Sequence, residues 1–302
     1  MSAHASYDAG RFHDAYDKVM AKWPPGRESV TVRTPFGETY VHVTGPADGP
    51  PLVLLPGGGE ATSASWYAQA AELSRTHRVH AVDLIGAPGR STPAGDRHPR
   101  TVADLTGWLD ALLDGLGIPA AALGGHSYGA WIALSYALHA PDRVRRLFLL
   151  DPTQCFAGFK AAYLLRATPV LLRPAPRRTR AFLEWETGAT PLDPDWLALQ
   201  EAAVGFPGRR PVTGPRPAPD ALRGLDVPVL LLLAGNSRTL PHSRLRSSGG
   251  TPIPAEVAAR ARELLPRVEV AVLPDVSHHA LPQAAPPGLG RRLSEFLAGP
   301  GD

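Results

Sequence analysis

Ala121-Ala122-Leu123-Gly124-Gly125-His126-Ser127-Tyr128-Gly129-Ala130 runs on into Trp131-Ile132-Ala133-Leu134-Ser135-Tyr136-Ala137-Leu138-His139. The apolar run Ala121–Leu123 reads as a strand and Ala130–His139 as a helix, with Gly125-His126-Ser127-Tyr128-Gly129 as the turn between them. A turn this tight holds its central serine at strained backbone angles, and only small residues fit two positions to either side. Gly125 and Gly129 meet that demand, and Ala130 lets the helix lie close to the strand. A serine capping a helix at an ordinary glycine turn would give the same letters. The strand before and the helix after are what make Ser127 a candidate nucleophile.

Outward from this turn the same alternation continues. Leu52–Leu55, Val79–Leu84, Ala121–Leu123, Arg146–Leu150, Val229–Leu233 and Val268–Leu273 are short apolar runs, each ending in glycine, proline or aspartate, with helical stretches between most of them. Such runs predict an α/β fold, a mostly parallel central sheet with helices on both faces. Ser29–Thr34 and Thr39–Thr44 alternate around Pro35-Phe36-Gly37-Glu38 and predict a β-hairpin at a sheet edge. Phe12, Tyr16, Val19 and Met20 predict an amphipathic helix within residues 8–22. Between Asp151 and Asp226 no strand is evident, and aromatics such as Phe159, Tyr163, Phe182, Trp185 and Trp196 stand among prolines and arginines. We expect one domain over residues 1–302, with residues 152–226 inserted as a helical cap. Thr213–Pro219 would lead back to the core as a short extended linker.

Composition narrows the function. The 302 residues are 44% hydrophobic and 20% charged, enough for a sizeable core and against a disordered chain. The formal net charge is only +3, and the basic pairs Arg177-Arg178 and Arg209-Arg210 are isolated, which speaks against a nucleic-acid partner. Cys155 is the single cysteine, so neither an intrachain disulfide nor a cysteine metal site can form. The first residues lack an apolar signal core, and no apolar window is long enough for a membrane span, so a soluble cytoplasmic protein is the expectation.

With these residues in place the chain resembles the α/β-hydrolase fold superfamily, from about Ser29 to Leu297. Leu54-Leu55-Pro56-Gly57-Gly58-Gly59 stands where that family usually has a His-Gly pair, and Asp83 through Ser91 resembles its D-x-x-G-x-G-x-S turn. Leu273-Pro274-Asp275-Val276-Ser277-His278 resembles the late strand and loop that carry the general base. The resemblance implies a serine hydrolase that needs no metal or organic cofactor. It assigns the oxyanion hole to the backbone N–H groups of Tyr128 and Gly58, with Gly59 the alternative to Gly58. The glycine run lacks the spacing and the lysine of a phosphate-binding loop. A serine hydroxyl needs a base near neutral pKa. His278 is the candidate and the adjacent His279 the alternative, while His126 is expected to line the pocket or pack under the turn.

The acid departs from the family pattern. It usually follows the strand spelled here Val229–Leu233, yet no Asp or Glu occurs from Val227 through Ile253. Asp151, at the end of the preceding strand, preserves the order Ser…Asp…His. Followed by Pro152, it also reads as a helix cap, in which case Asn236, Ser237 or a backbone carbonyl would orient the histidine. The expected activity is cleavage of a carboxylic ester or thioester through an acyl-enzyme, on a small molecule with an apolar acyl or aryl group. C–C bond hydrolysis, cyclisation or elimination, or ligand binding without catalysis, are the alternatives on the same scaffold.

Overall fold

The computed structural model describes residues 7–59, 61–188, 190–241, 254–284, 286 and 288–299. The chain opens with α1 (Ala9–Met20), whose first turn is capped by Asp8 accepting from the Arg11 N–H at 3.1 Å. Then come β1 (Glu28–Thr34), β2 (Gly37–Thr44), β3 (Pro51–Leu55), α2 (Tyr67–Leu73), β4 (Arg78–Val82) and the short β5 (Thr92–Pro93). α3 (Val102–Gly115), β6 (Ala121–His126), α4 (Tyr128–His139) and β7 (Val144–Leu150) follow. Next are α5 (Ala161–Leu172), α6 (Pro176–Thr187), α7 (Pro194–Ala202) and α8 (Pro219–Arg223), all before β8 (Val229–Ala234). The chain closes with α9 (Ala255–Leu264), β9 (Val268–Leu273), α10 (Leu281–Ala284) and α11 (Leu289–Leu297). Among the described residues no helix is long and apolar enough to cross a membrane.

The strands form one sheet in the order β1-β2-β4-β3-β6-β7-β8-β9, with β5 paired to β2. From β4 to β9 every neighbouring pair is parallel, and β1–β2, β2–β4 and β2–β5 are antiparallel. The continuous apolar runs are explained by helices on both faces. Leu52, Leu54, Phe148, Leu150, Leu230 and Leu232 pack with Phe12 of α1, Trp66 and Leu293 of α11. Their neighbours Val53, Leu55, Leu147, Leu149, Leu231 and Leu233 pack with Trp108 of α3, Ile132 of α4 and Val257 of α9. The two-residue period of a strand divides each run between two cores.

One expectation about the hairpin needs correction. β1 is an edge strand, but β2 lies inside the sheet between β1 and β4. Its polar residues Thr39, His42 and Thr44 are buried rather than solvated. Side chains distant in sequence meet Thr39 and one nitrogen of His42 there. Trp108 Nε1 donates to Thr39 Oγ1 at 2.8 Å, and His42 Nε2 donates to the Tyr16 hydroxyl at 2.8 Å. Tyr16 in turn donates to Asp83 Oδ2 at 2.9 Å, and Asp83 also accepts from Ser63 N–H, Ser63 Oγ and Arg90 N–H. The Asp83–Ser91 motif is therefore a structural turn, and Ser91 Oγ closes it by donating to the Asp83 carbonyl at 2.6 Å. Gly89, at φ +149°, is needed because a Cβ there would lie 2.7 Å from Asp83 Cγ.

Burial holds several histidines neutral. It lowers His42 to about 3 and His80 to about 4, and it also pushes His77, His126 and His279 down. In the unfolded chain these rings take up protons below about pH 6.5, whereas in the folded protein they do not until much lower pH. Their contribution to stability is thus intact above about pH 6.5 and is lost as pH falls toward 3–4. Asp83, whose carboxyl burial raises, acts in the opposite sense but is a single group. Thermal melts should show Tm dropping by roughly 5–10 °C between pH 7 and pH 4, and His42→Gln should flatten that slope. A Tm independent of pH over this range would contradict the buried neutral rings.

Candidate functional site

Ser127 sits where β6 hands over to α4, at φ 53° and ψ −113°, a conformation outside the ordinary regions for a residue with a side chain. The neighbours make it unavoidable. A Cβ on Gly125 would lie 2.4 Å from the backbone of Gly129 and Ala130, and one on Gly129 2.3 Å from the carbonyl oxygens of Leu55 and Pro56. Strand, turn and the end of β3 are thus in backbone contact, and the serine side chain is left projecting from the carboxyl ends of the parallel strands.

His278 lies on the loop after β9 and Asp151 directly after β7, the strand next to β6. His278 Nε2 is 2.9 Å from Ser127 Oγ, and His278 Nδ1 is 2.7 Å from Asp151 Oδ2. The carboxylate can only accept, so Nδ1 carries the proton and donates it. Nε2 is therefore left as the acceptor for the Ser127 hydroxyl. Asp151 caps no helix, because the chain after it runs through bends until Lys160 and α5 starts at Ala161. Its φ of 41° is itself in the left-handed region, and its N–H continues the ladder to Leu232 O at 2.8 Å. Ser237, in the turn after β8 where the family's acid is expected, donates to Asp151 Oδ2 at 2.7 Å, and the Ala234 N–H donates to Oδ1 at 3.0 Å. The position lacking a carboxylate thus supplies a donor to Asp151.

The remaining candidates fall around this line. The glycine loop passes the turn closely, since a Cβ on Gly58 would lie 3.3 Å from Tyr128 Cβ and one on Gly57 3.0 Å from His126 Nδ1. The backbone N–H groups of Tyr128, Gly58 and Gly59 have no acceptor among the described residues. His126 Nε2 donates to the His278 carbonyl at 3.0 Å, so it packs beneath the histidine and lines the cavity. His279 turns to Tyr163, with Nε2 3.3 Å from the Tyr163 hydroxyl. An imidazole hydrogen-bonded to a buried carboxylate on one side and to a hydroxyl on the other can remove the hydroxyl proton and return it.

Glu186 is the residue that sequence reasoning missed. It belongs to α6, is 1% exposed, and accepts from the backbone N–H groups of His278 at 3.2 Å, Arg238 at 3.3 Å and His279 at 3.1 Å. It ties the helices inserted between β7 and β8 to the histidine loop. A glutamate on an Arg-rich helix reads as solvated, and no local signal distinguishes it. The same inserted helices wall a cavity of about 480 Å³ that reaches Ser127 and His278, with Phe159, Tyr163, Phe182 and Trp196 in its lining. A second cavity, also about 480 Å³, shares Gly58, Tyr128 and Val212 with the first. The Tyr128 hydroxyl donates to the Val212 carbonyl between them at 2.8 Å. Glu186→Ala leaves three backbone donors without their acceptor and should lower stability by about 2–4 kcal/mol. Thermal unfolding measures the loss, and an unchanged Tm would show that Glu186 does not hold the loop.

Comparison with known proteins agrees with this architecture. The sequence pattern of the α/β hydrolase fold family matches residues 50–193. Carboxylesterase YbfK of Bacillus subtilis is 28% identical, the match covering 98% of this chain and 96% of that one. The uncharacterized carboxylesterase nap of the same organism is 30% identical over 95% of this chain and 92% of its own. The crystal structure of naproxen esterase from Bacillus subtilis superposes with a TM-score of 0.83 at 28% identity, covering 98% of this chain and 99% of that one. A mostly parallel sheet with this strand order, a serine in the turn after β6 and full-length similarity to these proteins place the chain in the α/β hydrolase fold family.

Proposed function

We propose that this protein is a carboxylic ester or thioester hydrolase that works through an acyl-enzyme on Ser127. The observation that carries the reading is the continuous line from Ser127 Oγ through His278 to Asp151, at 2.9 and 2.7 Å, opening on an aromatic-walled cavity. His278 Nε2 takes the hydroxyl proton as Ser127 attacks the ester carbonyl, then gives it to the departing alcohol or thiol. In the second half-reaction it activates water in the same way, and the acyl group leaves as the acid. Asp151 keeps Nδ1 protonated and stabilises the imidazolium that forms. The N–H groups of Tyr128 and Gly58, with Gly59 the alternative to the latter, face the oxyanion. α5, α6 and α7 form the cap over this nucleophile elbow, and their aromatic lining suits an apolar acyl or aryl group. The relatives' names as carboxylesterases agree with this reading.

A fluorophosphonate probe tests it without knowledge of the substrate, because it reacts only with a base-activated serine. Stoichiometric labelling mapped to Ser127 is expected, with none in Ser127→Ala. Labelling elsewhere, or no labelling of the native protein, would overturn the reading. Asp151→Asn turns an amide toward Nδ1 and favours the tautomer with Nε2 protonated, which can no longer accept from Ser127. Its kcat/KM on a responsive ester should fall roughly 10³-fold or more. Activity equal to the native protein would remove Asp151 from the mechanism.

A further inference from the structure

Most of the exposed large hydrophobic side chains among the described residues stand on one helix. They are Leu164, Leu165, Leu171 and Leu172 of α5, at 47%, 78%, 74% and 73% exposure, and only Val30 joins them from elsewhere. No residue of α5 is buried, whereas every other described helix of more than four residues buries a leucine or a valine. Leu164 and Leu171 are two helical turns apart, as are Leu165 and Leu172, so the four form two adjacent rows on one side of the helix. Tyr163, Ala167 and Val170 line the Ser127 cavity, and Leu165 and Leu172 do not. A single exposed leucine is ordinary, but a contiguous stripe marks a contact surface.

The charge around this stripe has one sign. Lys160, Arg166, Arg173, Arg177, Arg178 and Arg180 border or interrupt it, and no Asp or Glu occurs from Pro152 through Leu183. Among the described residues only Arg180 of this set pairs with carboxylates, those of Glu184 and Glu201. Arg166 lies over the Trp185 ring at 5.5 Å and Arg178 donates to the Arg173 carbonyl, so both keep a charge that no carboxylate neutralises. A second copy of this chain fits the surface poorly, because a two-fold contact sets the same arginines against one another. An anionic lipid surface answers both features, with leucines entering the acyl boundary and arginines meeting the headgroups. We infer that α5 is a docking face through which the protein binds reversibly to an anionic membrane surface, without spanning it. Leu164 and Leu171 also line the Ser127 cavity, so docking brings part of its rim to the lipid.

Co-sedimentation with unilamellar vesicles tests this without any turnover, so its outcome is separate from that of the esterase reading. The native protein, and Ser127→Ala equally, should partition onto vesicles of equimolar phosphatidylcholine and phosphatidylglycerol about tenfold or more above phosphatidylcholine alone. Salt at about 0.5 M should remove most of that difference. The double variant Leu165→Gln/Leu172→Gln should weaken binding to the mixed vesicles about tenfold or more. Arg173→Ser/Arg177→Ser should weaken it about tenfold and leave the phosphatidylcholine background unchanged. All four positions are exposed and none lines either cavity, so the substitutions leave the packing intact. No binding to either vesicle, equal binding to both, or binding that persists in both double variants would overturn the inference. So would a dimer in solution, seen by analytical ultracentrifugation, that Leu165→Gln/Leu172→Gln dissolves, because a second copy would then be what covers the stripe.

Discussion

A carboxylate wholly withdrawn from solvent, Asp151, and the imidazole it holds, 1% exposed, are the pair around which the rest of this protein is arranged. Burying a carboxylate is costly unless its oxygens are met by donors. Here they are met by the Ala234 N–H, the Ser237 hydroxyl and His278 Nδ1. Those donors come from the end of β8, the turn after it and the loop after β9. The carboxyl ends of three neighbouring parallel strands must therefore be in register before the pair exists. The sheet with its two leucine-rich cores is what enforces that register.

Strain and satisfaction are exchanged across the site. Ser127 and Asp151 both occupy positive φ, each directly after a core strand. Such conformations persist only where the surroundings over-determine them. At Ser127 the constraint is the contact of Gly125 and Gly129 with neighbouring backbone, and at Asp151 it is the three donors. The histidine loop follows the edge strand β9, and Glu186 holds it by accepting from the backbone N–H groups of His278 and His279. Because Glu186 belongs to a helix of the insertion, the segment that walls the cavity also sets the height of the imidazole. The walls of the cavity and the position of the His278 ring are mechanically joined.

Several elements were legible because their physics is local. The turn around Ser127 needs small residues at fixed offsets, and the buried strands need unbroken apolar runs, so both stand out in the letters. The prolines of the insertion were harder to read. Pro176, Pro194 and Pro219 resemble linker residues, but each occupies the first turn of a helix, where its missing N–H costs nothing. β2 looked like an edge strand because its polar residues alternate. Their burial depends on Trp108 and Tyr16, residues distant in sequence.

The same division holds at the site. The fold class, the nucleophile candidate at Ser127 and the short set of groups around it are readable in the letters, since each follows from a spacing or a residue type. Tertiary structure alone decided among them. It brought His278 to Ser127 and turned His279 to Tyr163. It made Asp151 an acceptor for the imidazole instead of a helix cap, with Ser237 as its donor. It also placed Glu186 against the backbone of the histidine loop. The physical reason is that hydrogen-bond geometry between residues on different strands and helices depends on how the layers pack. No spacing within a single segment encodes it.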